Sequence, residues 1–202
     1  MIGAILLAAG SGRRFGGDKL LAPLPNGTPV AVAAAATLVA ALPHLVAVVR
    51  PGAETLAEAL RGCGAEVVVC PRADDGMGSS LAWGVAATRD WNGWVVALGD
   101  MPWVATATVS AVAAAVAAGA PLSAPRYQGR RGHPVCFGRS YRDSLLVLTG
   151  DRGGRSIVEA AGDRVCHVDC DDPGVLADID RQADIERFAF RAGTRLADAR
   201  VK

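Results

Sequence analysis

The chain has 202 residues, 21 Lys and Arg against 20 Asp and Glu, and a hydrophobic share of 51% with only 5% aromatics. That length suits one well-buried domain at the usual ~100–200 residues per domain, and the apolar share, mostly Ala, Val and Leu, excludes disorder and suits helices packed closely on a sheet. A formal charge of +1 provides no long-range field for a nucleic-acid backbone or an anionic membrane, so an anionic ligand must be held locally.

The opening stretch MIGAILLAAGSG has no basic flank. Its apolar run ends after about eight residues, short of a signal peptide or of the ~20 residues that span a membrane. The Ala/Val stretch Ala31–Leu42 is short as well, so the expected location is the cytoplasm. Short β-branched runs then alternate with longer Ala-rich stretches. Ile2–Ala9, Leu45–Arg50, Glu66–Cys70, Trp94–Leu98 and Leu122–Ala124 read as strands, and Pro29–Leu42, Ala53–Cys63, Gly78–Arg89 and Ala105–Ala118 read as helices between them. Strands apolar on both faces are expected where helices cover both sides of a mainly parallel sheet with right-handed crossovers. The fold class is therefore α/β, a three-layer αβα sandwich with a mixed, mainly parallel, Rossmann-like sheet.

After Pro125 the pattern changes. Tyr127–His133 reads as a polar loop, Pro134–Phe137 and Arg164–Asp169 as strands, Ser140–Leu148 and Arg155–Ala161 as short helices, and Asp178–Asp180 as the close of a further strand. Gln182–Arg191 reads as a terminal helix. Residues 1–190 are expected to form one domain with a distinct subregion at about 125–175, followed by a polar tail over 191–202. The five cysteines, Cys63, Cys70, Cys136, Cys166 and Cys170, contain no CxxC pair and read as buried or idle thiols. Cys166 and Cys170, with His167 between them, have metal-ligand chemistry, but strand alternation explains the spacing better.

The end of the first strand carries the chemistry. Leu7-Ala8-Ala9-Gly10-Ser11-Gly12-Arg13-Arg14-Phe15-Gly16-Gly17-Asp18-Lys19 is a glycine-rich loop at a parallel strand's carboxyl end. Backbone N–H groups without β-carbons in the way can approach phosphate oxygens there, with Arg13, Arg14 and Lys19 supplying positive charge. The Walker A pattern fails, because Lys19 follows Asp18 and precedes Leu20. The dinucleotide fingerprint is half matched by Gly10 and Gly12, but Phe15 stands at the third glycine and no acid ends the second strand. Arg50 at that position is suited to a 2′-phosphate, which keeps an NADP-dependent oxidoreductase as an alternative.

Asp100, in Leu98-Gly99-Asp100-Met101-Pro102, follows the fourth strand at the sheet edge where open α/β folds bind ligands. A carboxylate there suits magnesium bridging phosphate oxygens, although Asp is also common in plain turns. In Asp178-Ile179-Asp180 a strand would point both acids to one face. Asp75-Gly76-Met77-Gly78-Ser79-Ser80-Leu81 opens a helix whose free N–H groups and hydroxyls can read a base or ribose; N-capping by Ser79 or Ser80 is the plainer account.

From Leu7 to Lys19 the sequence resembles the opening motif of the molybdenum-cofactor nucleotidyltransferases, LAAG or LAGG followed by x-S/G-x-R-F/M-G-x-x-K. Further segments resemble the same family: GDxP at Asp100; G-M-x-x-S-L from Gly76; G-x-x-G-H-P from Gly129 to Pro134; G-D-x-G-A/G-R from Gly150 to Arg155; and D-I-D at Asp178, where Arg181, Gln182 and Ala183 depart from the family's T-P-E. The resemblance covers Ile2 to about Phe188 and implies transfer of a nucleoside monophosphate from an NTP to a phosphorylated acceptor, molybdopterin above all, with release of pyrophosphate. It implies that Leu7, Ala8, Ala9, Gly10, Ser11, Gly12, Gly76, Ser79 and Ser80 hold the nucleotide. Arg14 and Lys19 would stabilise charge on the leaving group, while Arg13 falls at a variable position and is assigned to solvent. It implies Mg²⁺ on Asp100 and Asp180, with Asp178 in support or in place of Asp180. Arg131, His133, Arg152 and Arg155 would line the acceptor side. His44 and His167 carry no signal.

Ala9, in LAAG rather than LAGG, points to CTP over GTP. The alternatives are GTP-dependent synthesis of the guanine dinucleotide cofactor, transfer onto a sugar or alcohol phosphate, and a nucleotide-binding module without catalysis. Nucleic-acid and membrane partners are not expected; a transient contact with a molybdoenzyme is implied.

Overall fold

The computed structural model describes residues 1–10 and 15–188. Its strands are β1 (Ile2–Ala8), β2 (Leu45–Val49), β3 (Glu66–Val69), β4 (Gly93–Leu98), β5 (Leu122–Tyr127), β6 (Arg130–Arg131), β7 (Val135–Gly138) and β8 (Val165–Asp169). Its helices are α1 (Val30–Ala41), α2 (Glu54–Gly62), α3 (Met77–Ala87), α4 (Thr106–Ala117), α5 (Arg142–Leu146) and α6 (Arg155–Ala161), with a further helix over residues 182–188.

The strands join one sheet in the order β3-β2-β1-β4-β7-β5, and β5 also pairs with β6 and β8. The first four are parallel neighbours, while β7 enters antiparallel between β4 and β5. Pairing β1 with β2 on one side and β4 on the other fixes where the ligand end lies: Leu7 is level with both Val48 and Leu98. The loops after β1 and β4 therefore leave the same edge side by side, as open α/β sheets require at a binding crevice.

Apolar residues fill both faces of the sheet. Leu6, Ala47, Val95 and Ala97 pack with α1, α2 and α4 on one side, and Ile5, Val48, Trp94 and Val96 pack with α3 and the helices after β7 on the other. Trp94 is fully buried, and its indole N–H donates to Thr88 Oγ1 at 2.9 Å. Burying that large ring therefore leaves no unpaired donor.

Four local expectations need correction. Tyr127–His133 is not an open loop: Arg126 and Tyr127 pair with Arg131 and Arg130 in a hairpin. Its turn uses Gln128 at φ 49° and Gly129 at φ 77°, a left-handed pair suited to such connections. Asp178–Asp180 forms no strand; Ile179 donates its N–H to the Asp100 carbonyl instead, so the segment docks on a turn rather than on a ladder. Ser140–Leu148 divides into a 3-10 turn at Arg139–Tyr141 and the short α5. Neither Ser79 nor Ser80 caps α3, because both lie inside it and Gly76 is the N-cap.

Among the described residues no helix is long and apolar enough to cross a membrane. The cysteines are free; Cys70 and Cys136 are buried, and burial pushes the Cys136 thiol up to about 12.

Candidate nucleotide and metal site

Asp100 is fixed by its backbone before its side chain does anything. Gly99 donates its N–H to the Leu7 carbonyl at 3.0 Å, Met101 donates to Leu98 at 3.2 Å, and Ile179 donates to the Asp100 carbonyl at 3.0 Å. The residue is thus tied to the end of β1, to β4 and to the segment before the last helix.

Lys19 begins a 3-10 turn over Lys19–Leu21, anchored by Leu20, which is buried in the core. Its ammonium lies 2.7 Å from Asp100 Oδ2 and 3.7 Å from Asp180 Oδ1. Phe15, Leu24, Val30 and Ile179 form a small apolar cluster beneath this arrangement. Ile179, fully buried, is the wedge: its insertion leaves Asp178 exposed and Asp180 beside Lys19. The two acids flank a buried side chain by loop packing, which replaces the strand alternation expected from their spacing.

A cleft of about 430 Å³ is lined by Leu7, Ala9, Gly10, Lys19 and Asp100 on one wall and by Gly76, Met77, Ser80 and Asp151 on the other. Arg50, Ala73 and Asp74 line it as well, with Arg50 Nη2 donating to Asp74 Oδ1 at 2.8 Å. The expected nucleotide residues Leu7, Ala9, Gly10, Gly76 and Ser80 thus share one cavity with Lys19 and Asp100. Ala8 is buried beside it. Ser79 is buried, its hydroxyl has no partner among the described residues, and it is not among the lining residues. Ser11, Gly12, Arg13 and Arg14 lie outside the described residues.

Gly76 sits where a side chain would be strained. Its φ is 106°, and a β-carbon there would lie 2.4 Å from the Gly150 carbonyl carbon and 2.6 Å from Asp151 Oδ1. With Gly78 N–H donating to the Gly150 carbonyl at 2.7 Å, this contact locks the start of α3 to the turn at 150–151. Asp151 enters the cleft as a result. No local pattern marks Asp151 or Asp74 for this cleft, whereas Arg50 stands out by its place at the end of β2.

The four residues expected on the acceptor side divide. Arg152 and Arg155 both pair with Glu159, the latter at 2.8 Å, and Arg131 adds to the positive field that lowers the Glu159 carboxyl. They form an exposed basic cluster outside the 430 Å³ cleft. His133 is separate: it borders a small internal void with Leu98, Met101 and Val109. Its backbone N–H donates to the Val175 carbonyl at 2.9 Å, and its Nδ1 is buried without a partner among the described residues. Burial, reinforced by Arg131 and opposed by Asp178, depresses its imidazole to about 4, so it is neutral at pH 7.

Asp100 fits a divalent cation by one direct observation: its Oδ1 is buried and has no hydrogen-bond partner among the described residues. Among the described residues no group of three or more His, Cys, Asp or Glu side chains converges. Asp100 and the neighbouring Asp180 are the carboxylates that would hold an ion, with substrate oxygens completing the shell, the usual manner for Mg²⁺ with phosphates.

The chain is 32% identical over 193 residues to the nicotine blue oxidoreductase of Paenarthrobacter nicotinovorans, covering 91% of this chain and 94% of that one. Its fold matches a manganese complex of Rv0371c from Mycobacterium tuberculosis with a TM-score of 0.78 and 29% identity, over 92% of this chain and 96% of the other. It matches a nucleotidyl transferase from Methanothermobacter thermautotroptrophicus equally, with a TM-score of 0.78 and 28% identity, over 93% and 95%. The model of the MobA-like NTP transferase domain matches residues 4–165, and the chain belongs to that family.

Proposed function

We propose that this protein transfers a nucleoside monophosphate, CMP in preference to GMP, from an NTP to a phosphorylated acceptor such as molybdopterin, releasing pyrophosphate. The observation that carries the reading is the meeting of Gly10, Lys19 and Asp100 in one cleft, with a buried Asp100 oxygen available to a cation.

The nucleotide lies along this cleft with its phosphates against Gly10 and Lys19. Bound through Asp100, with Asp180 beside it, Mg²⁺ would supply Lewis-acid neutralisation of the phosphates. Lys19 then supports charge building on the leaving pyrophosphate, joined by Arg14, Ser11 and Gly12 of the same loop. An acceptor phosphate oxygen forms a bond to the α-phosphorus as the bond to the β-phosphate bridging oxygen breaks. The nucleophile is already ionised at neutral pH, so positioning and charge stabilisation suffice and no general base is required. Arg131, Arg152 and Arg155 are the cations offered to the acceptor's phosphate, with His133 shaping the hairpin that carries Arg131. One domain over 1–190, a cytoplasmic location and a transient hand-over to a molybdoenzyme belong to the same reading.

Pyrophosphate release from purified protein with Mg²⁺, molybdopterin and either CTP or GTP tests it. Release with CTP exceeding that with GTP is expected; no release with either nucleotide and any phosphorylated acceptor refutes the proposal.

A second reading, an NADP-dependent oxidoreductase, draws on the name of the Paenarthrobacter relative and on Arg50 at the end of β2 in the cleft. It accounts less well for Asp100 and Asp180 at the phosphate end, where two acids against the single ammonium of Lys19 oppose a pyrophosphate. Enhanced nicotinamide fluorescence on titrating NADPH, with no response to CTP, would favour it.

A further inference from the structure

We infer that Lys19 is an internal counter-ion that bars the divalent cation from Asp100 until a nucleotide arrives, so that metal and NTP binding are coupled through this one side chain. The inference rests on the nucleotidyl-transfer reading and adds a coupling to it.

The ammonium of Lys19 is 2.7 Å from Asp100 Oδ2 and 3.7 Å from Asp180 Oδ1. It therefore lies between the two carboxylates assigned to the metal. A divalent ion sits about 2.1 Å from a carboxylate oxygen, so an ion on Oδ2 takes the space that the ammonium now fills. An ion on Oδ1 avoids that overlap but stands within a few ångströms of the positive charge, in a pocket where the side chains of Lys19 and Asp100 are only 13% and 22% exposed. Repulsion between the cations is weakly screened there.

A triphosphate changes both terms together. Its oxygens offer Lys19 a new partner in the same cleft, and its negative charge offsets the remaining repulsion. Each ligand then raises the affinity of the other by the same factor, as linkage requires. Lys19 reaches the cleft from a short turn whose backbone is held independently by Leu20 in the core. The side chain can swing without moving the loop.

The test is Mn²⁺ binding to the full chain, followed by electron paramagnetic resonance without acceptor, with and without CTP. Wild type is expected to bind Mn²⁺ at least tenfold more tightly with CTP than without. Lys19→Met is expected to bind Mn²⁺ at least tenfold more tightly than wild type when CTP is absent, and to lose most of the CTP dependence. Lys19→Arg keeps the charge and is expected to stay weak without CTP, which keeps the test decisive if Lys19→Met does not fold. Equal nucleotide-free affinities in wild type and Lys19→Met, or tight nucleotide-free binding in Lys19→Arg, overturn the coupling alone, provided Asp100→Asn has lost Mn²⁺. Binding unchanged by Asp100→Asn overturns the metal site and the coupling with it.

Discussion

Lys19 and Asp100, 81 residues apart in sequence, are joined by a 2.7 Å hydrogen-bonded ion pair that bridges the loop after β1 and the turn after β4. Neither residue is positioned by the other. Lys19 hangs from a turn anchored by Leu20, and Asp100 is pinned by its carbonyl, which accepts from Ile179, and by its neighbours Gly99 and Met101, which donate to Leu7 and Leu98. The pair is a consequence of the scaffold, which brings the two side chains together.

Substituting Asp100 by Ala should abolish turnover with the fold intact. Loss of the cation's carboxylate is expected to lower pyrophosphate release by at least about 10²–10³-fold, the range for removing a group that stabilises transition-state charge. Thermal unfolding should move little, because Asp180 Oδ1, 3.7 Å from the Lys19 ammonium, remains as its counter-ion. Release at the wild-type rate would eliminate the metal role. Chelation of divalent ions by EDTA should silence the wild type in the same assay, with Mg²⁺ or Mn²⁺ restoring it.

Stability should depend on pH through His133. Its folded value of about 4 lies below the ordinary 6.5, so between those values the unfolded chain binds a proton that the folded protein does not. The contribution is complete above about pH 6.5 and is lost as pH falls towards 4, by at most about 3 kcal/mol. Urea unfolding at several pH values should show this slope. His133→Gln should flatten it; an unchanged slope would assign it to other groups.

Asp172 should be a large stability determinant far from the chemistry. Its Oδ2 accepts from Ala105 N–H at 2.8 Å and from Thr108 Oγ1 at 2.7 Å, and its Oδ1 accepts from Gly174 N–H at 2.9 Å, all in a buried position. Asp172→Ala strips the α4 N-terminus of its acceptor and leaves buried donors unpaired, at a cost of about 2–4 kcal/mol. Denaturant midpoints measure it; a loss under 1 kcal/mol would mean that water replaces the carboxylate.

At Gly76, alanine would need both a left-handed backbone and room that the Gly150 carbonyl occupies. Gly76→Ala is expected to destabilise by about 1–3 kcal/mol and to weaken nucleotide binding by displacing the start of α3. Gly17→Ala, with nothing near its β-carbon position, is the control and should be neutral in a thermal melt.

Ala9 lines the cleft and is nearly buried. If it borders the base, Ala9→Gly should raise the GTP-to-CTP ratio of kcat/KM by about tenfold, the scale of one methyl-sized contact. A ratio unchanged in the variant would remove Ala9 from base selection.

Much of this protein was legible in order along the chain. The apolar β-branched runs marked β1 to β4 and the helices between them, since strands covered on both faces need no polar alternation. The glycine-rich loop and Asp100 could be read because parallel strands deliver their carboxyl ends to one edge. The hairpin at 126–131 was missed because its pairing involves four polar residues with no hydrophobic alternation, and only the backbone at Gln128 and Gly129 reveals the turn. Asp178–Asp180 looked like a strand because alternation is the simplest account of an acid–Ile–acid spacing. The backbone of Ile179 instead bonds to Asp100, 79 positions away, a partner no local pattern announces.

Residue types and local order thus determined the βαβ succession, the loop able to meet phosphate and the acid at the sheet edge, because strand and helix periodicities and backbone steric limits act over a few residues. The tertiary structure alone decided that Lys19 pairs with both Asp100 and Asp180, that Arg50, Asp74 and Asp151 face the same cleft, and that Arg152 and Arg155 turn to Glu159 outside it. Those relations depend on distances between segments far apart in the chain, which packing of the whole core sets and no local preference encodes.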